Sequence, residues 1–314
     1  MTNRAGLKPL KITKSILLSF LLCGLTLGCT LIPEQKQFVS SLQDPPLTRS
    51  NGSCSDIVIA QDFWETDSST AKLYADSISI LSWNIYKGQK QEWDTDLLQF
   101  SRLTDIIILQ EAPLNDRLQE ILDQENLYWN LNSAFIFNGM EAGVLMASSV
   151  PPLESCGLRL SEPIIGVPKT ILISSYIIAD STENLLVANI HGINFSLGVG
   201  AYQEQIDSLQ DILSKHDGPI ILAGDFNNWN KKRTDIMRKL AEKLSLQPLI
   251  YNKDGRTTFW GNPVDHVLYR GLEPVSHTIH SVTSSDHNPI SVTFRLVNAP
   301  EPKSLKISAD ISPF

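Results

Sequence analysis

The sequence is poor in cysteine, in positive charge and in long apolar runs. Four cysteines occur in 314 residues, and 17 glycines with 17 prolines leave no room for a collagen-like chain. With 42% hydrophobic and 19% charged residues, a disordered chain is excluded as well. Lys and Arg number 26 against 34 acidic residues, a net charge of −8. Residues 1–28 hold four of those cations, Arg4, Lys8, Lys11 and Lys14, and no acid, so a chain starting at residue 29 carries 22 against 34, or −12. That excludes binding of nucleic acid or anionic lipid through a broad basic surface, which needs many cationic contacts to release counterions. A local site is not excluded. No internal repeat or low-complexity tract divides the chain.

What is present begins with an address. The four cations precede an uncharged run over 16–28, 13 residues long, too short to span a bilayer comfortably but suited to the apolar region of a secretory signal. Residues 1–28 are therefore expected to be a signal peptide, placing the protein in the periplasm, the cell envelope or the medium. Gly28 before Cys29 resembles a bacterial lipoprotein cleavage site, which makes Cys29 a candidate for lipidation and membrane attachment. Thr26 and Leu27 depart from the usual Leu-small-small pattern, and an uncleaved anchor or ordinary cleavage nearby are the alternatives. After signal removal Cys54 and Cys156 form an even pair in a compartment that permits disulfides. A bridge between them and two unpaired small hydrophobes are both open readings, since sequence does not supply the Cα separation.

Residues 29–76 are polar and broken by Pro33, Pro45, Pro46 and Gly52, and read as a tether. The folded domain is expected over 77–297, and residues 298–314, with Pro300, Pro302 and Pro313, as a flexible tail. Within the domain, β-rich apolar runs predict strands over 78–86, 105–111, 143–147, 170–178, 185–191, 220–226, 265–269 and 290–296. Tyr202, Ile206, Leu209 and Leu213 recur at helical spacing, as do Ile236, Leu240 and Leu244. The mixture of βα and ββ connections argues against a purely doubly wound sheet.

The functional signal lies at strand ends. Side chains alternate across a strand, so Asn84 continues the face of Ile80 and Ser82, and Glu111 that of Ile107 and Leu109. Asn189 and His191 stand two apart, Asp225 and Asn227 emerge together past Gly224, and Asp265, Asp286 and His287 follow near the C-terminus. Any one of these has a bland reading as a turn, a cap or a solvated end. Together, six segments close apolar runs with carboxylate, carboxamide or imidazole, the groups that hold a hard cation and hydrogen-bond a phosphate.

The segments LSWNIYKG, IILQE, NIHG, LAGDFN, VDHVLY and SSDHNP resemble, in order and approximate spacing, those of the endonuclease/exonuclease/phosphatase superfamily with the DNase I-like fold. The likeness spans about 77–296, and NIHGINFSLGV and GDFNNWNKKR are similar to the bacterial YafD-like branch. It implies an α/β fold, a four-layer α/β/β/α sandwich of two mixed sheets with flanking helices, and a phosphoesterase using Mg2+ or Mn2+. Carried over residue by residue, it makes Glu111 the metal ligand, supported by Asn84 and Asp286. Asp225 would orient or deprotonate the attacking water, with His287 as the alternative base, held by Asp265. Asn227 and His191 would donate to phosphate oxygens. The chain reads N-I-H-G where many relatives have N-T-H-L.

The implied activity is phosphodiester hydrolysis of a nuclease-like kind, with nucleic acid among the conceivable substrates. A phosphatase or phospholipase C-like hydrolase is the alternative, and a non-catalytic exported binding protein a third. A monomer is expected. His266 should point away from the site. Lys87 and Lys169 lie near the motifs and could touch phosphate, but an ordinary surface lysine is the simpler reading of each. Lys231, Lys232 and Arg233 open a helix, where each cation opposes the macrodipole by about 0.3–1 kcal/mol, which suggests either an anionic partner or a solvated basic turn. Core packing is the simpler reading of Trp229, Phe259 and Trp260, against stacking on a base or bordering a lipid site. No extended basic or hydrophobic hairpin is evident.

Overall fold

The computed structural model describes residues 32, 38–40, 54 and 71–297. Residues 1–28, Cys29 and the tail 298–314 lie outside them.

Two sheets stack face to face. The first has seven strands in the spatial order β1 (Phe38–Ser40), β4 (Tyr128–Phe137), β5 (Met140–Ser148), β3 (Ile106–Pro113), β2 (Ile78–Asn84), β15 (Ile290–Leu296) and β14 (Leu272–Ile279). The second has six, in the order β10 (Gln247–Pro248), β13 (Asp265–Arg270), β9 (Ile220–Asp225), β8 (Asn184–His191), β7 (Pro168–Ile177) and β6 (Glu154–Ser161). A short hairpin, β11 (Thr258–Phe259) with β12 (Asn262–Pro263), stands apart. Only β2 with β3 and β8 with β9 run parallel. Each parallel pair is joined through a helix, as a parallel connection requires: α1 (Trp93–Ser101) in the first sheet and α3 (Gly200–Leu213) in the second. The other helices are α2 (Asp116–Gln124), capped by the Asn115 side chain, and α4 (Lys231–Lys243), capped by Asn230.

Strand alternation builds the layers. Ile78, Ile80, Ile106 and Ile108 of the first sheet meet Leu172, Leu185, Val187 and Ile221 of the second in a buried inter-sheet core. The opposite faces bury Leu81, Trp83, Ile107 and Leu109 under Trp93, Leu97, Leu118 and Ile121, and Leu186, Ala188 and Leu222 under Tyr202, Ile206, Ile236 and Leu240. This is the expected four-layer α/β/β/α sandwich, with both helical stripes facing inward as their spacing predicts.

Strands β4, β6 and β14 go beyond the eight predicted. In β4 the alternation is masked by buried polar residues whose partners are distant, as where Asn132 Nδ2 donates to the carbonyls of Leu158 (2.9 Å) and Ile171 (2.8 Å). The domain also starts earlier than residue 77. Leu73 and Ala75 enter the inter-sheet core, Leu73 bridging to Ile178. Strand β1 adds an edge to β4 through Val39 and Leu131, and Cys54 bonds Cys156 with a Cα separation of 5.3 Å. These pieces of the expected tether are held by remote partners and carry no local periodicity of their own.

Candidate active site

The two parallel pairs point their carboxyl ends at the same edge of the sandwich. There the inter-sheet face turns polar: Ile78 and Ile80 lead to Asn84, Leu185 and Val187 to His191, and Ile221 and Ala223 to Asp225. Asp265 opens β13 directly opposite Asp225, on the face of Val267 and Tyr269. A cavity of about 430 Å3 results, lined by Asn84, Glu111, His191, Asp225, Asn227, Asp286 and His287, with Asp265 behind His287. All eight expected polar residues are thus brought together.

Glu111 reaches the cavity by a route the alternation does not show. Ile107 and Leu109 face the outer helices, and so does Ala112. The pairing of β3 with β5 slips between Leu109 and Ala112, and Glu111 takes a φ of +51°, so a bulge re-aims its carboxylate between the sheets. Gln110 turns inward beside it, its Nε2 donating to Asn189 Oδ1 at 2.8 Å. Asn189 in turn donates to the carbonyls of Leu109 (2.8 Å) and Leu145 (2.9 Å), stitching the sheets beneath the site. Asn227 is also left-handed, with φ +49°. With Tyr86, φ +50°, three such non-glycine residues line one cavity, a strain that the surrounding fold must hold in place.

Asp225 is the hub. Its Oδ1 accepts the Asn227 backbone N–H at 2.9 Å, and its Oδ2 accepts from Asn84 Nδ2 at 3.2 Å. His191 Nε2 lies 3.6 Å and His287 Nε2 4.0 Å from that same oxygen. Burial, reinforced by Asp265 and resisted by His287, raises the Asp225 carboxyl to about 6. His287 Nδ1 contacts the Asp265 carboxylate at 2.8 Å. Burial disfavours the imidazolium, but Asp265, with Asp225 and Asp286, outweighs it and raises His287 to about 10. The loop is fastened to β2, with Trp83 Nε1 donating to the His287 carbonyl at 2.9 Å and Ser285 Oγ to the Asn84 carbonyl at 2.6 Å.

Two lysines read as surface residues lie in the site. After β2 the chain turns through left-handed Tyr86 and Lys87, φ +50° and +55°, which returns Lys87 Nζ to within 2.5 Å of Glu111 Oε2. Lys169, at the start of β7, places Nζ 2.8 Å from His191 Nε2. An ammonium has only donors, so His191 accepts there and is neutral, with its proton on Nδ1. Burial and Lys169 together hold it well below the usual histidine range. Burial also opposes the charge on Glu111, yet the Lys87 and Lys169 ammonium groups prevail and hold its carboxyl at about 2. Nothing around Lys87 or Lys169 in the sequence marks them, because their partners come from other strands.

The donor set fits a hard divalent cation. Glu111 is held ionised by its ion pair with Lys87, its carboxylate therefore in the form a cation needs, while Asn84 and Asp286 line the same cavity. Asp225, Asp265 and His287 also bring one ligand atom each within 4.8 Å of one another. There, however, Asp265 keeps His287 protonated, and an imidazolium has no lone pair for a metal, so Glu111 is the better anchor.

Residues 81–287 match the sequence profile of the Endonuclease/Exonuclease/phosphatase family. The chain belongs to that family. Membership makes it a phosphoesterase-type hydrolase. It is 39% identical over 220 residues to the UPF0294 protein of Vibrio campbellii, spanning 70% of this chain and 78% of that one. Its fold is similar to that of the human Nocturnin catalytic domain, at 18% identity and a TM-score of 0.56 over 73% of this chain and 97% of that one. It is also similar to a mannosyl-6-phosphatase of Bacteroides thetaiotaomicron, at 17% identity and a TM-score of 0.54 over 69% and 99%.

Other expectations around the site resolve differently. The glycine of N-I-H-G is needed: a Cβ on Gly192 would lie 2.3 Å from the Phe226 carbonyl oxygen, where the exits of β8 and β9 press together. His266 does point away, contacting Asn228 Oδ1 and Arg256, and burial with Arg256 lowers it to about 3. Arg233 is buried and binds no external anion. Its guanidinium donates to the carbonyls of Ile193, Asn227 and Asn194 and stacks on Tyr202 and Trp229. Lys231 pairs with Asp235 on the surface. Phe259 and Trp260 are not core residues; they stand exposed on the β11–β12 hairpin, in ring contact with Trp229.

Proposed function

We propose that this chain is an exported, monomeric phosphodiesterase that uses Mg2+ or Mn2+. The observation that carries the reading is the division of charge across the cavity: an ionised Glu111 on one side, and on the other Asp225 raised to about 6 beside a His287 raised to about 10. Glu111, with Asn84 and Asp286, would hold the cation, which supplies Lewis-acid stabilisation of the phosphoryl charge. Asp225 takes a proton from the attacking water. His287 is already protonated at neutral pH and is therefore a donor to the leaving oxygen rather than a base, oriented by Asp265. Asn227 and Lys169 donate to the phosphoryl oxygens, with neutral His191 positioned between them and Glu111.

Lys169 is the only lysine or arginine among the described residues that line the cavity. Export is supported by the apolar run over 16–28 and by the Cys54–Cys156 bridge, which an oxidising compartment preserves. The test is hydrolysis of bis(p-nitrophenyl) phosphate, p-nitrophenyl phosphate, single-stranded nucleic acids and phospholipids by the purified protein, with metal and with EDTA. Turnover of diesters that EDTA abolishes, and that Glu111→Gln lowers by orders of magnitude while weakening Mg2+ binding in calorimetry, is expected. A preference for the monoester, or metal-independent turnover, rejects the reading.

A further inference from the structure

Two loops line the cavity and a third packs on the first of them through Glu162, and all three push large apolar side chains into solvent. Leu197 is 90% and Phe195 53% exposed after β8; Trp260 is 74% and Phe259 49% exposed on the β11–β12 hairpin; Ile164 is 55% and Ile165 49% exposed between β6 and β7. These six are half of the twelve exposed large hydrophobics among the described residues, which makes the clustering a feature rather than ordinary surface scatter. Phe195 and Phe259 line the cavity itself, so the patch is continuous with the site.

The fold holds these loops rigidly. Buried Glu162, at the head of the Ile164 turn, accepts the backbone N–H groups of Asn194 (2.5 Å) and Phe195 (3.3 Å). From the other side Arg233 donates to the carbonyls of Ile193 and Asn194 and to Ser196 Oγ. Trp229, stacked on Arg233, donates Nε1 to Asn194 Oδ1 at 2.9 Å and meets Trp260 edge-on at 4.8 Å. A buried carboxylate and a buried guanidinium thus fix two apolar side chains in water, an arrangement that makes sense only if something apolar meets them.

We propose that this rim docks on a zwitterionic lipid–water interface and presents a lipid headgroup phosphodiester to the cavity; the second half rests on the phosphodiesterase reading. Segments 163–167, 192–199 and 257–264 contain no charged residue, in a chain of net charge −8. A nucleic-acid strand would need cations to follow its flanking phosphates, and these three segments offer none. An anionic membrane would be repelled by the acidic chain, whereas a neutral interface accepts mixed aromatic and aliphatic side chains. Lipidation of Cys29 would bring the chain to the same kind of surface.

Indole quenching by vesicles of phosphatidylcholine with brominated acyl chains tests the proposal on the full chain. The wild type is expected to be quenched, and Trp260→Phe to lose most of that signal. A triple variant, Ile164→Ser, Ile165→Ser and Leu197→Ser, retains the Trp260 reporter and should lose quenching too, since each apolar side chain removed weakens docking about tenfold or more. An unchanged melting temperature shows that these exposed substitutions leave the fold intact. Equal quenching of wild type and triple variant would mean tethering by the N-terminus alone and overturns the proposal. So does an unquenched wild type whose fluorescence responds to a single-stranded oligonucleotide. Hydrolysis of soluble diester without quenching removes the docking surface and leaves the phosphodiesterase; quenching without hydrolysis of any diester keeps the surface and removes the phosphodiesterase.

Discussion

At the scale of single residues, two acids in one cavity are driven in opposite directions by their neighbours. Glu111 faces two ammonium groups and stays ionised, whereas Asp225 is buried beside Asp265 and holds its proton to about 6. A raised carboxyl is inactive as a base below its pKa, so turnover should rise with pH through about 6. His287 must keep its proton to donate, so turnover should fall above about 10. The alkaline limb belongs to Asp265: Asp265→Asn removes the charge that sustains the imidazolium, and a kcat profile against pH should show that limb moving down, with the acid limb also moving down because the same charge helps raise Asp225. Lys169 supplies a separate expectation. If its ammonium moves from His191 to the phosphoryl group, Lys169→Met should lower kcat by roughly 10²–10³, as loss of a preorganised oxyanion donor does, with little change in Mg2+ affinity. Calorimetry beside steady-state kinetics separates the two, and an equal loss of metal affinity would move Lys169 from the substrate to the ligand shell.

At the scale of elements, what could be read in advance was what alternation and motif carry. Asn84, His191, Asp225 and Asp265 each end or begin a strand on the inter-sheet face, as a period of two predicts. Glu111 was found by motif, but its assigned face was wrong, because the bulge at Gln110 and Glu111 turns it inward. Lys87 and Lys169 carried no signal, since a left-handed turn and a neighbouring strand place them. Arg233 illustrates the same gap: read as a cation opposing the macrodipole, it spans from α4 to the loop after β8 and satisfies carbonyls there. Arg233→Met should therefore cost about 3 kcal/mol in chemical denaturation, because it strands the buried carbonyl oxygens of Ile193 and Asn227. The loop it holds should also become cleavable, and limited proteolysis between residues 193 and 198 would detect it. Intact, protease-resistant protein of unchanged stability would show that the stacked rings of Tyr202 and Trp229 hold the loop without it.

At the scale of the molecule, two helix-linked parallel pairs face each other, and their converging ends make one cavity that neither sheet could build alone. Such a site depends on the sheets staying in register, and Asn189 bridges them at its floor. Farther away, β1 and Cys54 bind the N-terminal segment to β4 of the first sheet and β6 at the edge of the second. The Cys54–Cys156 bond closes a separation of 102 residues, so it restricts the unfolded chain strongly and should contribute about 2–4 kcal/mol. Reduction with dithiothreitol should lower the melting temperature, and the Cys54→Ser, Cys156→Ser double variant should melt at that lower temperature with or without reductant. Because Cys156 lies opposite Ile173 on β7, four residues along from Lys169 and in contact with none of the proposed catalytic side chains, turnover below the transition should change little. Mass analysis of the exported protein, denatured and alkylated without reduction, should find neither thiol modified. Two alkylated cysteines in that fraction would mean that the segment joins the domain through β1 and Leu73 alone, and the bridge would no longer support export.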